Sequence, residues 1–234
     1  MRKIFTFILA LIAGAGMMFA ESGTCGANLT WDYTDGVLTI SGSGAMYDYK
    51  QSTTNPYFSH RTTTAPWVNY GNKITSIRIT NSVTSIGNNA FYYLDHVTSV
   101  TIGRNVQSIG VSAFSDCKEL STPLVFPNNL KRINESAFSC CSKIPSITLN
   151  DNLKHIGTAA FFGCDSLKSV VIPDKVDTIM EKAFDRCDNL KSMTIGENVK
   201  YISPGAFHYY AVSHLESVVW KAKNYTSTSK PFRG

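Results

Sequence analysis

Apolar residues recur along most of the chain in a fixed register of 23 or 24 residues. The dipeptide Ala-Phe occurs six times, at steps of 23, 24, 23, 23 and 23 residues. An Ile stands four residues before each of these Ala residues, and a Val or Leu stands three residues before each Ile. The Ala-Phe pairs begin at Ala90, Ala113, Ala137, Ala160, Ala183 and Ala206. Three registers held over six units indicate an internal repeat rather than chance.

A second pattern, between these marks, predicts a short strand in each unit. Residues 167–172 are apolar at the first, fourth and sixth positions, with β-branched residues among them, and residues 190–195 repeat this pattern. The Ala-Phe segment is too short for more than one or two helical turns, so each unit is interpreted as strand, turn, and a short helical or irregular return. A single unit cannot bury its own apolar face. Stacked units therefore predict a solenoid with one parallel, curved sheet.

The one step of 24 residues has a visible cause. Residues 120–124 hold one residue more than the equivalent residues 167–170, and the longer segment contains Pro123. Proline cannot donate a hydrogen bond to a neighbouring strand. We therefore expect a bulge or a local gap in the sheet at this unit.

Both ends depart from the repeat, as expected because an end unit would otherwise expose the core. Residues 29–33 and 37–41 alternate between apolar and polar, and Thr34-Asp35-Gly36 between them predicts a β-hairpin. We assign residues 1–20 to a signal peptide, 21–72 to an N-terminal β cap, 73–220 to a solenoid of about six 23-residue units, and 221–234 to a degenerate C-terminal partial repeat or tail.

The first twenty residues predict export. Arg2 and Lys3 precede an apolar stretch at residues 4–18, and Ala20 stands at the expected cleavage point. The apolar stretch is shorter than the roughly 20 residues that span a bilayer. We expect cleavage after Ala20, no membrane span in the mature chain, and a location outside the cell or at its surface.

Composition and charge narrow the classes of partner. Hydrophobic residues make up 43% of the chain and aromatic residues 12%, which is enough for a packed core. The formal net charge is +5, and no run of Lys or Arg builds a basic stripe along the sequence. Because nucleic-acid binding needs clustered positive charge, we expect no nucleic-acid partner.

Four cysteines occupy one position of the repeat, three residues after the Phe. They are Cys117, Cys141, Cys164 and Cys187. The outer units hold Leu94 and Tyr210 at this position, so its occupant fills space, and we predict a structural cysteine ladder in the core. Disulfides between adjacent rungs are the alternative, because stacked rungs bring Cα atoms to about 5 Å, within disulfide range. The disulfide state of Cys25 and Cys140, outside the ladder, stays open.

No arrangement in the sequence favours catalysis, a cofactor or a metal. A catalytic Cys164 would need a base and an orienting group, and His155, nine positions upstream, is interpreted as a solvated turn residue. Zinc sites use close pairs of Cys or His, and Cys140-Cys141 is the only such pair in the sequence. We predict no enzyme activity, no cofactor and no metal.

The repeat also resembles a known family. Units of the form V-x-x-I-G-x-x-A-F-x-x-C-x-x-L-x-x-V-x-I, preceded by GTCGANLTW, GVLTISGSGAMYDY and APW, resemble the BspA-like leucine-rich repeat proteins of bacteria, Bacteroidetes especially. The resemblance covers about residues 74–220. It implies an α/β leucine-rich-repeat solenoid wound as a right-handed coil, and a non-enzymatic role in adhesion or protein binding at the cell surface.

The resemblance further implies that a partner binds the solvent side of the sheet. The candidate residues are outward strand positions and two flanking lysines, namely Arg78, Thr101, Thr148, Lys168, Val171, Lys191, Thr194 and Val219. Thr and Val are also good strand formers, so these residues could serve the strand alone.

The expected function is a secreted or cell-surface protein-binding or adhesion module, whose ligand is a protein or a surface glycoconjugate. One alternative is a structural or assembly subunit of the cell envelope that stacks end to end. Another is a carbohydrate-binding module, which would show exposed aromatic residues in a flat platform on one face. The sequence leaves the oligomeric state open.

Overall fold

The computed structural model describes residues 21–52, 62–207 and 215–223. These residues form a solenoid of parallel β-strands with a β cap at the N-terminal end. The predicted solenoid and its hairpin cap are confirmed. The predicted signal peptide, residues 1–20, and residues 224–234 of the predicted tail lie outside the described residues.

The cap begins with three antiparallel strands. Its strands are β1 (Glu21–Gly26), β2 (Leu29–Thr34), β3 (Val37–Gly42), β4 (Gly44–Ala45), β5 (Gln51–Ser52) and β6 (Thr62–Thr63). The predicted hairpin is formed by β2 and β3, and Asp35 and Gly36 close it with φ values of 50° and 82°. Positive φ at both turn residues matches the turn to the twist of the strands. Strand β1, which pairs with β2, was not predicted because its sequence shows no alternation of apolar and polar residues.

The strand predicted in each unit forms a parallel ladder, which we name ladder A. Its strands are β7 (Ser76–Ile79), β9 (Ser99–Thr101), β11 (Leu124–Val125), β13 (Ile147–Thr148), β15 (Ser169–Val171), β17 (Ser192–Ile195) and β19 (Ser217–Trp220). Cap strand β3 pairs with β7 and so covers the first rung. Ladder A is interrupted between β9 and β11 and again between β13 and β15. The first interruption lies at Pro123, which confirms the predicted local gap; the second was not predicted.

The V-x-x-I segments form a second parallel ladder, which we name ladder B. It contains β4 of the cap, β8 (Val83–Ile86), β10 (Ser108–Ile109), β12 (Arg132–Ile133), β14 (His155–Ile156), β16 (Thr178–Ile179) and β18 (Tyr201–Ile202). These seven strands pair without interruption. The prediction of one sheet was therefore wrong. Most strands of ladder B are two residues long, too short to show the alternation by which a strand is recognised in a sequence.

The Ala-Phe segments return the chain as irregular turns. Within the described residues the only helical segment is a single 3-10 turn, Val68–Tyr70, in the cap. In the first five Ala-Phe turns, the N–H of the Phe donates to the carbonyl of the Ala in the next unit, at 2.8 to 3.1 Å. In each of the first five turns two positions have positive φ, as at Lys182 (57°) and Arg186 (55°). In a residue other than glycine this conformation costs about 1–2 kcal/mol. The backbone hydrogen bonds between rungs therefore stabilise a turn that the residues would not favour by themselves.

The phenylalanines form a stacked column through the core. Its members are Phe91, Phe114, Phe138, Phe161, Phe184 and Phe207, all fully buried. Neighbouring rings lie 5.0 to 5.8 Å apart between centroids. Trp67 extends the column into the cap, 5.4 Å from Phe91, and its indole N–H donates to the Ala90 carbonyl at 2.9 Å. Because Trp67 stands 24 residues before Phe91, the repeat register already begins inside the cap.

Candidate functional site

The four cysteines of the repeat form a second interior column beside the rings. Each thiol is fully buried and donates to the carbonyl of the Phe in the preceding unit, at 3.1 to 3.4 Å. Burial raises the pKa of all four thiols, and most strongly those of Cys141 and Cys164, which also face neighbouring thiols. All six cysteines of the chain lie in the described residues, and all are free. The column is therefore built from protonated thiols rather than disulfides.

The structure separates Cys164 from His155. Cys164 lies in the core with its S–H directed at the Phe138 carbonyl. His155 lies half-buried in ladder B, where burial and the neighbouring Arg132 lower its pKa. A thiol with a raised pKa keeps its proton and is a poor nucleophile. Across the described residues, no group of three or more His, Cys, Asp and Glu is placed to hold a metal ion.

The predicted binding residues of ladder A lie in one outward row that crosses the solenoid. The row contains Arg78, Thr101, Val125, Thr148, Val171, Thr194 and Val219, each exposed or half-buried. The cap lengthens this row, because Thr39 is in register with Arg78, and Asp32 with Thr39. The sequence did not reveal Thr39 and Asp32, since the parallel pairing of a cap strand with the first repeat strand has no local signal.

The outward row changes character at the first interruption of ladder A. On the N-terminal side it is polar, whereas beyond the interruption Val125, Val171 and Val219 are 67%, 61% and 49% exposed. We name the set Val125, Thr148, Val171, Thr194 and Val219 the valine face. Valine is normally an interior residue, so its exposure at three positions of one row distinguishes this part of ladder A from the rest of the row.

One more valine of β19, Val218, is exposed at the end of the solenoid, on the opposite side of the strand from the valine face. Val218 is in register with the buried Met193, an inward position, yet Val218 is 41% exposed. Its exposure follows from its place in the last described rung, where no further described strand covers it. Sequence reasoning placed this position in the core and so missed it.

Charged side chains lie along one border of the valine face. Lys168 and Lys191 are both exposed, and Lys191 forms an ion pair of 2.9 Å with Glu216. The small side chains of Ser169 and Ser192 follow the two lysines in β15 and β17. The surface thus offers an apolar row, a strip of hydroxyl groups and a charged border.

A flat aromatic platform is not present in the described residues. Among their aromatic side chains only Tyr47, in the cap, is exposed, at 51%. Phe162 is half-buried, and the Arg186 guanidinium lies 5.6 Å from its ring centroid. The feature that would favour a carbohydrate-binding module through ring stacking is therefore missing from the described part of the chain.

Cys140 differs from the other five cysteines because it is half-buried. It lines a surface cleft of about 270 Å³ with Lys118, Phe162, Asp165 and Arg186 among its neighbours. The cleft holds charges of both signs and so selects no single class of ligand.

No helix in residues 21–52, 62–207 and 215–223 is long and apolar enough to span a membrane.

Comparison with known families matches most of the solenoid. Residues 67–123 and 120–234 match the model of the BspA type leucine rich repeat region, in six copies. The first matched residue is Trp67, where the aromatic column begins. A search of curated proteins gives no match.

Solved structures of bacterial leucine-rich repeat proteins share the fold. A T. pallidum leucine-rich repeat protein aligns with a TM-score of 0.62 and 24% identity, over 76% of this chain and 83% of that one. A leucine-rich cell surface protein of Faecalibacterium prausnitzii aligns with a TM-score of 0.47 and 22% identity, over 91% and 73% of the two chains. At these identities the likeness concerns the fold alone.

Proposed function

Since the chain belongs to the BspA type leucine-rich repeat family, we propose that it is a non-enzymatic protein-binding module whose contact surface is the valine face. Leucine-rich repeat proteins commonly mediate protein binding or adhesion. The observation that carries the proposal is the row of exposed valines on ladder A. Export through the N-terminal segment, and a place outside the cell or at its surface, belong to the same proposal.

Burial of the valines would supply affinity. Covering apolar surface stabilises a complex by about 25 cal/mol per Å². The five residues of the valine face carry no charge, so a partner can cover them without desolvating an ion. Strand β11 pairs with β13, and β17 pairs with both β15 and β19. The inward residues of β11, β13, β15 and β17 lie in the buried core, so the surface needs little ordering when a partner binds.

The charged border would supply orientation. Lys168 makes no ion pair within the described residues, whereas Lys191 is already paired with Glu216. Charged groups at the rim of an interface mainly affect association rate and choice of partner. We therefore expect a partner with an apolar centre and a carboxylate near Lys168.

The test is binding of the mature chain to purified fibronectin, fibrinogen, laminin and collagen by surface plasmon resonance. The double variant Val125→Asp/Val171→Asp places two carboxylates in the valine face. Its matched control is Val111→Asp, at an exposed valine outside ladder A. We expect binding to at least one probe, weakened about tenfold or more in the double variant, because 1.4 kcal/mol is tenfold and a buried unpaired charge costs more.

Two outcomes overturn the proposal. One is that none of the four probes binds the wild-type chain. The other is that the double variant and Val111→Asp bind equally well, which would place the contact away from the valine face. Circular dichroism melts of all three chains show whether the substitutions leave the fold intact.

A further inference from the structure

Ladder B carries a cluster of cations that the sequence did not disclose. Each unit places two side chains outward between the buried Val or Leu and the buried Ile. In two successive units these side chains are Lys131 and Arg132, then Lys154 and His155, which we name the basic patch. The three cations Lys131, Arg132 and Lys154 are exposed, and His155 is half-buried.

The four side chains are neighbours because of the strand register. Arg132 is in register with His155. The Lys154 N–H donates to the Lys131 carbonyl at 2.9 Å, so these two lysines also follow one another across the ladder. Like charges placed opposite one another on adjacent strands destabilise a sheet. Repulsion between Lys131 and Lys154 on neighbouring rungs therefore destabilises this part of the sheet.

Within the described residues, an acidic side chain of the protein neutralises part of the positive charge of the basic patch only at one edge, at Lys154. Asp177 lies 4.0 Å from Lys154 but 3.1 Å from Lys200, the lysine of a later unit. The Lys131 amino group has the neutral Gln107 amide oxygen as its hydrogen-bond partner, at 3.5 Å. Within the described residues, neither Lys131 nor Arg132 forms an ion pair.

The fold itself does not require these charges. The equivalent outward positions of the first two units hold Thr84 and Ser85, then Gln107 and Ser108, and these strands join ladder B in the same register. Neutral residues thus satisfy the same backbone geometry. The cations therefore point to the binding of a partner rather than to the stability of the fold.

We propose that the basic patch binds a linear anionic polysaccharide, carrying carboxylate or sulfate groups, that lies along ladder B. The strands of a sheet repeat about every 4.8 Å, so the cations of the two units lie on adjacent rungs, along the direction in which a polymer on ladder B would run.

The same surface lacks the features of two other anionic partners. Single-stranded nucleic acid is held by stacking of bases on aromatic rings, and the basic patch contains no Phe, Tyr or Trp; its one ring, the His155 imidazole, is half-buried. Membrane-surface binding combines cations with inserted apolar or aromatic side chains, and the patch has no such side chain. The proposal does not depend on the valine face, which belongs to ladder A.

The test measures binding of the mature chain to immobilised heparin, which is sulfated, and to polygalacturonate, which is carboxylated. The triple variant Lys131→Ala/Arg132→Ala/Lys154→Ala removes three charges from the patch. The control Lys50→Ala/Lys73→Ala/Lys221→Ala removes three exposed charges elsewhere, so both chains have the same net charge. All six substitutions are at exposed positions, and thermal melts check that the folds match.

We expect the wild-type chain to bind at least one of the two polysaccharides. The patch variant should lose about tenfold or more in affinity, and its slope of log affinity against log salt should fall by about 2, because a single-stranded polyanion releases about 0.7 counterion per neutralised charge. The control should keep the wild-type slope. Gln107→Lys, which lengthens the basic patch by one rung, should strengthen binding.

The proposal is overturned if neither polysaccharide binds, or if the two triple variants lose affinity equally, which would indicate net charge alone. It is also overturned if an oligo(dT) strand or a phosphatidylserine vesicle binds the patch more tightly than both polysaccharides. Sulfated and carboxylated partners are distinguished by which of the two immobilised polymers is retained.

Discussion

Ladder A and ladder B are built from the same repeat, yet only one of them is continuous. Ladder B pairs seven strands in a row, whereas ladder A is divided into three groups of strands, the first joined to the cap. Their outward surfaces differ as well: the C-terminal part of ladder A exposes valines, and ladder B exposes cations in two successive units.

The interruptions of ladder A show what keeps the solenoid continuous. The ring column and the thiol column both cross the gap at Pro123 without a break. Next to the gap, Phe126 packs edge-on against Phe138 at 5.5 Å and against Phe161 at 6.2 Å. The equivalent position holds Ile102 and Leu149 in the neighbouring units, so a larger side chain fills the core there. The two interior columns and ladder B therefore keep the solenoid continuous, and the strand pairing of ladder A can be interrupted without breaking it.

The largest expected effect is loss of stability at alkaline pH through the thiol column. Burial raises the pKa of each thiol in the folded protein above its value in the unfolded chain, which is about 8.5. Below pH 8.5 the thiol therefore contributes fully to the free energy of unfolding, and this contribution is lost as the pH rises toward the pKa of the folded state. Each fully buried thiol should remove about 1.4 kcal/mol per pH unit from the free energy of unfolding above pH 8.5. Urea unfolding between pH 7.5 and 10 measures the dependence of the free energy of unfolding on pH. In Cys164→Ala the slope of this dependence should be smaller by about 1.4 kcal/mol per pH unit, the contribution of one thiol. An unchanged slope in Cys164→Ala would contradict the account.

Removing a ring from the column should affect both ladders at once. Phe138→Ala leaves a cavity between Phe114 and Phe161, and we expect a loss of about 3–5 kcal/mol in the free energy of unfolding. The control is Phe162→Ala, which removes a half-buried ring one residue after a column member. Denaturant melts of the two variants should differ by at least about 2 kcal/mol; equal losses would mean that the column has no special role.

A proline in ladder B tests whether its continuity is needed. In ladder A, Pro123 directly precedes β11 and Pro145 lies two residues before β13. In ladder B, the Thr178 N–H donates to the Lys154 carbonyl at 3.3 Å. Thr178→Pro removes this donor from the ladder and should lower the free energy of unfolding by about 1–3 kcal/mol. Thr178→Val keeps the N–H and serves as the control. If Thr178→Pro melts like Thr178→Val, the two ladders tolerate interruption equally.

The smallest expected effect concerns the Ala-Phe turns that connect the ladders. Ala159 has φ of 52°, and Gly205 holds the equivalent position in another unit. Ala159→Gly should therefore stabilise the protein, by up to about 1 kcal/mol, because glycine adopts this conformation without strain. Ala160→Gly, at the neighbouring buried position, should instead destabilise it. Thermal melts that moved in the same direction for both variants would refute the strain at Ala159.

The surfaces were less predictable than the core. The outward row of ladder A followed from strand alternation, but its polarity changes at the gap, and its extension to Thr39 and Asp32 depends on pairing between cap and repeat. The basic patch was invisible because Lys131-Arg132 and Lys154-His155 lie 23 residues apart and form no run of charge. Only the register of β12 and β14 brings them side by side.

The strict repetition of the sequence is enough to specify a solenoid with six equivalent rings. Residues close together in the sequence are enough to specify the gap at Pro123 and the hairpin of the cap. The second ladder, the positive φ of the Ala-Phe turns and the extra strand β1 are decided by tertiary structure. In each of these the stabilising hydrogen bonds run between strands or rungs, to residues with no local signal for pairing. The same holds for the two surfaces, since strand register alone sets which side chains become neighbours.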